Sequence, residues 1–247
     1  SEIELRHVAD DGLILKHVGT GDGKEPSFTF QAGDNDIAQD DVLGQINFQA
    51  PDEGAGTDAI LVAASIKAFS EGDFSASNNA TTLEFATGRS AAAGSDGGRL
   101  RLTSNGTLFL KSQNTADDSK PVIHLQAGDT DIAQDDELGA ISFSAPDEGA
   151  GTDAILTAAQ IMAVSEGDFS SSNNATAMVF KTAVSEAASE KMRLTSVGQL
   201  KVQNEVDNDY IAEFQNTEAT DDRSFGIRIK AGSTGSDQSF VVQDHDA

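Results

Sequence analysis

The chain has no cysteine, no tryptophan, one tyrosine (Tyr210) and four prolines in 247 residues. Without cysteine, neither a disulfide framework nor a thiolate site for metal or catalysis is available. Without tryptophan and with so little tyrosine, the large side chains that usually fill a thick core are scarce. Leu, Ile, Val and Phe make up about 22 % of the residues, close to the level (about 20 %) below which highly charged chains stay disordered. Bases are also few: 16 Lys and Arg stand against 41 Asp and Glu, for a net charge of −25. Such a surface repels phosphate backbones and anionic lipid, so nucleic acid is excluded as a partner and so is membrane insertion. No apolar run approaches the 18 or so residues of a membrane-spanning helix, and no signal-peptide pattern opens the sequence.

What the chain does have is repetition. Residues 26–87 and 121–182 align without a gap, and 44 of the 62 pairs are identical. The shared text includes QAGD-x-DIAQDD, APDEGAGTDAIL, SEGDFS and SNNAT. After Thr87 the copies differ by three residues within a Gly/Ser/Ala-rich stretch, then regain step at RLTS-x-G, from Arg101 and from Arg193. DGLILK near the start resembles the end of a copy, NGTLFLK; FGIRIKAG near the finish resembles the beginning of one, LGAISFSAP. The expected organisation is therefore 1–25 as the end of a preceding repeat, 26–117 and 118–206 as two full repeats, and 207–247 as a partial third. Repeats at this spacing are the mark of an array whose units stack, not of a single enclosed site.

The two copies also report secondary structure. In LGQINFQA against LGAISFSA they differ at 45, 47 and 49 and agree at Ile46, Phe48 and Ala50. In AASIKAF against AAQIMAV they differ at 65, 67 and 69 and agree at Ala64, Ile66 and Ala68. A period of two belongs to a strand, whose alternate side chains face opposite sides. That overrides the helix propensity of the alanine-rich run. The reading is all-β, with five or six strands per copy near 27–31, 43–50, 59–69, 82–87, 99–103 and 107–111, the constant positions facing inward. Pro26 and Pro51, like Pro121 and Pro146, flank strands and interrupt none. A thin sheet with so little apolar material needs partner chains to complete its core, which points to a symmetric homo-oligomer.

Candidate chemistry is sparse. Asp34, Asp36, Asp40 and Asp41 recur as Asp129, Asp131, Asp135 and Asp136, and clustered carboxylates suit calcium. Asp34, Asp36, Asp129 and Asp131 are the candidate metal ligands, although the spacing departs from the EF-hand loop and equally describes a solvated acidic turn. Asp52, Glu53 and Asp58 lie in the Pro-Asp-Glu-Gly turn and offer carboxylates of the kind glycosidases pair. Among 41 acids such neighbours are expected by composition alone, so no catalytic residue is assigned and the chain is read as a non-enzyme. His7, His17, His124 and His245 do not recur between copies; His124 corresponds to Thr29. Asn79-Ala80-Thr81 and Asn174-Ala175-Thr176 match the glycosylation sequon and read equally well as turns.

The ordered pattern LGxIxFxAxDE, DAILxAAxIxAxSEGDF, SNNATxxxF and KMRLTSxGxLxV resembles the repeated region of tailed-bacteriophage tail fibres, particularly of phages from marine hosts. The second copy carries it best, through Leu138-Gly139, Ala158–Ile161, Phe180-Lys181-Thr182 and Lys191–Ser196. The first copy departs at the last motif, with Gly98-Arg99-Leu100 before Arg101. The resemblance spans most of 26–206 and implies an elongated β-rich homotrimer in the virion tail, exposed at its extracellular surface. Its partners would be its own copies, tail or baseplate proteins, and a host-surface receptor such as a glycan. It also implies a role as shaft or adhesion segment, without cofactor unless the aspartates hold calcium. Nothing in 207–247 resembles the chaperone domain that often ends such fibres. Two other readings share the composition: a cellular extracellular adhesin or filament subunit, and a tailspike-type glycan depolymerase.

Overall fold

The structure is a computed structural model and describes residues 3–10, 12–50, 60–88, 99–112, 114–146, 153–203, 210–217 and 227. The described residues form an all-β chain of twelve strands with one short 3-10 turn at Asp153–Ile155. The chain divides into two compact units, Ser1–Ile123 and His124–Ala247.

In the first unit, β1 (Ile3–Val8) and β2 (Gly12–His17) make an antiparallel hairpin. A separate five-stranded sheet follows, with β3 (Val42–Gln49), β4 (Val62–Ser70), β5 (Thr81–Thr87), β6 (Leu100–Leu102) and β7 (Leu108–Leu110) side by side in chain order. The second unit repeats this meander with β8 (Glu137–Ser144), β9 (Thr157–Ser165), β10 (Thr176–Thr182), β11 (Ser189–Leu194) and β12 (Leu200–Val202). Neighbours in sequence are neighbours in the sheet, so each connection is a hairpin and no crossover is needed.

Register sorts the side chains into two faces. One row reads Ile46, Ile66, Phe85, Leu100, Leu110 across the five strands of the first sheet. The next reads Gly44, Ala68, Leu83, Leu102, Leu108. The second sheet matches them with Ile141, Ile161, Phe180, Met192, Val202 and with Gly139, Ala163, Met178, Leu194, Leu200. None of these positions carries charge.

This apolar face is the open one. Phe48 is 53 % exposed, Ile46 45 % and Phe85 39 %; Phe143 and Ile141 behave alike. The opposite face is where burial occurs: Ser65, Thr82, Glu84 and Ala86 in the first unit, Met162, Val164, Ala177 and Val179 in the second. Period two thus sorts the faces, but the positions taken as inward, Ile46 and Phe48 above all, are not enclosed by the chain itself. The physical reason is thickness. Among the described residues, extensive packing between elements is confined to hydrogen-bonded neighbour strands, so no second layer from the same unit covers the apolar rows.

Two further expectations change. The stretch 27–31 is in no strand, which leaves five strands per sheet. Phe30 instead lies over β3, where a Cβ on Gly44 would meet its Cβ at 2.5 Å. Leu125 sits over Gly139 in the same way, at 3.0 Å. Glycine at these sites lets the preceding segment approach the sheet closely. The other strand bounds fall within one to three residues of those expected. The turn at 51–59, most of its counterpart, the length change at 89–98 and nearly all of the expected third repeat lie outside the described residues.

The covered faces of the two sheets have different chemistry. In the first, Glu84 is 0 % exposed and flanked by the cations of the adjacent strands, Lys67 Nζ at 3.1 Å and Arg101 Nη2 at 2.7 Å. Both cations also lie over Phe69, at 5.6 and 5.4 Å from its ring centre. In the second, Met162 and Val179 stand at the matching places, and Arg193 turns to Glu190 on its own strand at 2.5 Å. A buried ion pair is costly to break and cheap to replace as a whole. Glu84→Ala is therefore expected to destabilise the first unit by about 3 kcal/mol, whereas replacing all three charges, Lys67→Met with Glu84→Val and Arg101→Met, stays within about 1 kcal/mol of the parent or exceeds it. Urea unfolding of the three proteins checks this.

Candidate functional site

The recurring motifs converge at one end of each sheet, around the β4–β5 and β9–β10 connections. The acidic loop before β3 is tied there by Ser70. The Ser70 hydroxyl donates to the Ala38 carbonyl and accepts the Asp41 N–H at 3.0 Å. Its backbone exchanges bonds with the loop: Asp40 N–H donates to Ser70 O at 3.0 Å, and Ser70 N–H to Asp41 O at 2.9 Å. The Asp41 carboxylate closes the loop on itself by accepting Ala38 N–H at 2.8 Å. Asp40 takes a left-handed backbone, φ 70°, which aspartate tolerates better than most residues. The second unit repeats this set through Ser165, Ala133, Asp135 and Asp136. Ser70 and Ser165 are almost fully buried, so each hydroxyl satisfies loop groups that water does not reach.

The next residue reaches the other way. Glu71 accepts Thr82 Oγ1–H at 2.6 Å, Ser104 N–H at 2.8 Å and Ser104 Oγ–H at 2.5 Å. It thereby latches the β4–β5 connection to the β6–β7 turn. Glu166 accepts Ser196 N–H at 2.8 Å and makes the same latch without the threonine, which is Ala177 in this copy. Within the connection, Asn78 donates to Asp73 O at 2.7 Å and accepts Ala80 N–H at 3.2 Å. Asn173 does the same with Asp168 and Ala175. QAGDxDIAQDD, SEGDFS, SNNAT and RLTS are thus parts of one hydrogen-bonded knot. The side-chain atoms named above are committed to loop closure.

The candidate metal ligands are placed in turns. Asp34 Oδ1 accepts Asp36 N–H at 2.9 Å, and Asp129 Oδ1 accepts Asp131 N–H at 2.9 Å. Among the described residues no three carboxylates or imidazoles gather as a metal would require. Asp52, Glu53 and Asp58 lie outside the described residues. His17 accepts Gly19 N–H through Nδ1 at 3.0 Å. The sequence reading missed the latch glutamates and the Lys67–Glu84–Arg101 cluster. The signals were present: Glu71 recurs beside the anchoring serine, and the three charges fall on one face of three successive strands.

No protein family and no curated protein matches the sequence. Solved structures that are similar at low level include two tail-fibre domains. One is the carboxy-terminal domain of the bacteriophage T5 L-shaped tail fibre, at 13 % identity and a TM-score of 0.35, covering 90 % of this chain and 98 % of that one. The other is the same domain with its intra-molecular chaperone domain, at 14 % identity and a TM-score of 0.34, covering 92 % and 71 %. At these values the likeness assigns neither family nor function.

The latch carboxyls titrate below their usual 4.5. For Glu71 the causes are the Ser104 hydroxyl, then Thr82, then the Ser104 amide; for Glu166, the Ser196 hydroxyl and amide. A carboxyl that binds its proton less readily when folded stabilises the fold fully above its unfolded value and ceases to do so as pH falls through the lower, folded one. Exchange protection of the Ser104 and Ser196 amides is therefore expected to survive acidification past pH 4.5 and vanish below it. Following the two amides by NMR during an acid titration tests this. Loss of protection centred above 4.5 contradicts it. Chelation, by contrast, is expected to leave the melting temperature unchanged; a drop in EDTA that calcium restores would reinstate a metal at the aspartates.

Proposed function

We propose that the chain is a structural segment of a tail-fibre-type virion protein, a shaft or adhesion segment joining a phage tail to a receptor-binding tip. It works as a homotrimer without enzymatic activity. One observation carries the reading: two successive sheets leave the same uncharged apolar rows uncovered, in the same register.

A chain of net charge −25 that keeps two such faces free of charge has reserved them for contact. About six partly exposed large side chains per sheet bring on the order of 1,000 Å² of apolar surface per chain, against about 800 Å² per partner in a standard interface. Other copies of the same chain are the fitting occupants. Each brings identical rows, and closure around an axis buries all of them at once. The ordered motifs quoted above favour a viral fibre over a cellular adhesin. The dense acidity suits a surface in salt-rich water, where charges are screened beyond about 8 Å. Full repeats at 26–117 and 118–206 are then the building units. Tail or baseplate proteins and a host-surface receptor are the expected partners.

Mass photometry at micromolar concentration is expected to give a trimer. Phe85→Asp with Phe180→Asp, which places charge in the middle row of both sheets, is expected to give monomers. A parent protein that stays monomeric at that concentration overturns the reading.

A further inference from the structure

We infer that the β6–β7 turn holds a site of spontaneous covalent modification at Asn105, gated by the Glu71 latch. Asn105-Gly106 is the one Asn-Gly pair in the sequence. The pair sits in an exposed turn. Gly106 has φ 81° and no Cβ to hinder closure of a five-membered ring on its nitrogen.

The chemistry balances with water as the only co-reactant. The Gly106 amide nitrogen, losing its proton to hydroxide, attacks Asn105 Cγ. The Cγ–Nδ2 bond breaks and ammonia departs with a proton, leaving a succinimide. Water then opens either carbonyl, giving aspartate or isoaspartate. No electron transfer is involved. Two donors already address the oxygen on which negative charge gathers: Thr107 N–H at 3.1 Å and Thr103 Oγ1–H at 2.6 Å from Asn105 Oδ1. Donors fixed at such an oxygen stabilise the tetrahedral intermediate.

One bond opposes attack. Gly106 N–H donates to Thr103 O at 2.9 Å, so the nucleophile is released only when the turn opens. Opening is what Glu71 resists, because it holds Ser104 by both amide and hydroxyl. The modification therefore runs at the pace of turn opening. Its product places a new carboxylate one residue from Ser104, near Glu71, where like charge weakens the latch further. The second unit supplies an internal control: Val197-Gly198 closes the corresponding turn, with Gly198 N–H on Thr195 O at 2.9 Å and φ 80°, and has no amide to lose.

The experiment incubates the intact protein at mildly alkaline pH and body temperature, then maps tryptic peptides by mass. The peptide 102–111 is expected to gain one mass unit and to split into aspartyl and isoaspartyl forms, while 194–201 stays unchanged. Glu71→Ala, and more mildly Ser104→Ala, are expected to speed conversion at least threefold; Asn105→Val abolishes it. Circular dichroism confirms that each variant remains folded. An intact Asn105 after a free peptide of the same sequence has fully converted overturns the site. Equal rates in the parent and both latch variants overturn the gating.

Discussion

Among the described residues, each five-stranded meander is a single layer, and the rest of the design follows from that. A single antiparallel sheet has two faces, and a chain so poor in large apolar residues has the means to cover only one. The covered face takes whatever chemistry will fill it. The open face is held to a narrower set of residues in its rows, small or aliphatic with methionine and phenylalanine, and to zero charge there. Charge is then kept off the apolar rows, so the molecule is strongly acidic without a carboxylate on that face.

The internal duplication acts as a substitution experiment already carried out. Lys67, Glu84 and Arg101 in one unit stand where Met162, Val179 and Arg193 stand in the other. The backbone meander is the same in both, and so is the register through the apolar rows; the second sheet adds a bulge at Phe180/Lys181. A buried ion cluster and an apolar cluster are therefore interchangeable fillings for the same shell. The open face shows the contrary behaviour, with Ile46 and Ile141, Ile66 and Ile161, Phe85 and Phe180 kept identical. Constraint is greatest on the side that the single chain leaves to water, which is the pattern expected when that side is finished by association.

Much of this was legible in the sequence. Alternating difference between the copies located the strands and sorted their faces, because side-chain direction in a strand is fixed by backbone geometry. Which face the chain would bury was not legible. Apolar content argues for the Ile46–Phe48 side, and only the absence of a second layer reverses the assignment. Ser27–Gln31 alternates like a strand, but pairing needs a neighbouring edge, and a five-residue pattern carries no information about that. The serine and glutamate of SEGDF recur in both copies, but recurrence does not say what they bind. Their action through Ser70 and Glu71 on loops about thirty residues away is a three-dimensional fact that spacing alone does not encode. The aspartates were legible as turn formers, and Asp34 and Asp129 are that.

The knot at the end of each sheet has a consequence for how such a chain can change in length. Its ties span about thirty residues yet stay inside one copy: Ser70 reaches Asp41, Glu71 reaches Ser104, and Gln134 N–H reaches Asp168 Oδ1 across 34 residues. Each of these ties lies within a single copy. A copy can therefore be gained or lost by recombination between near-identical segments without leaving an orphaned donor behind. Copy number can then change by one whole unit at a time, with each knot kept intact.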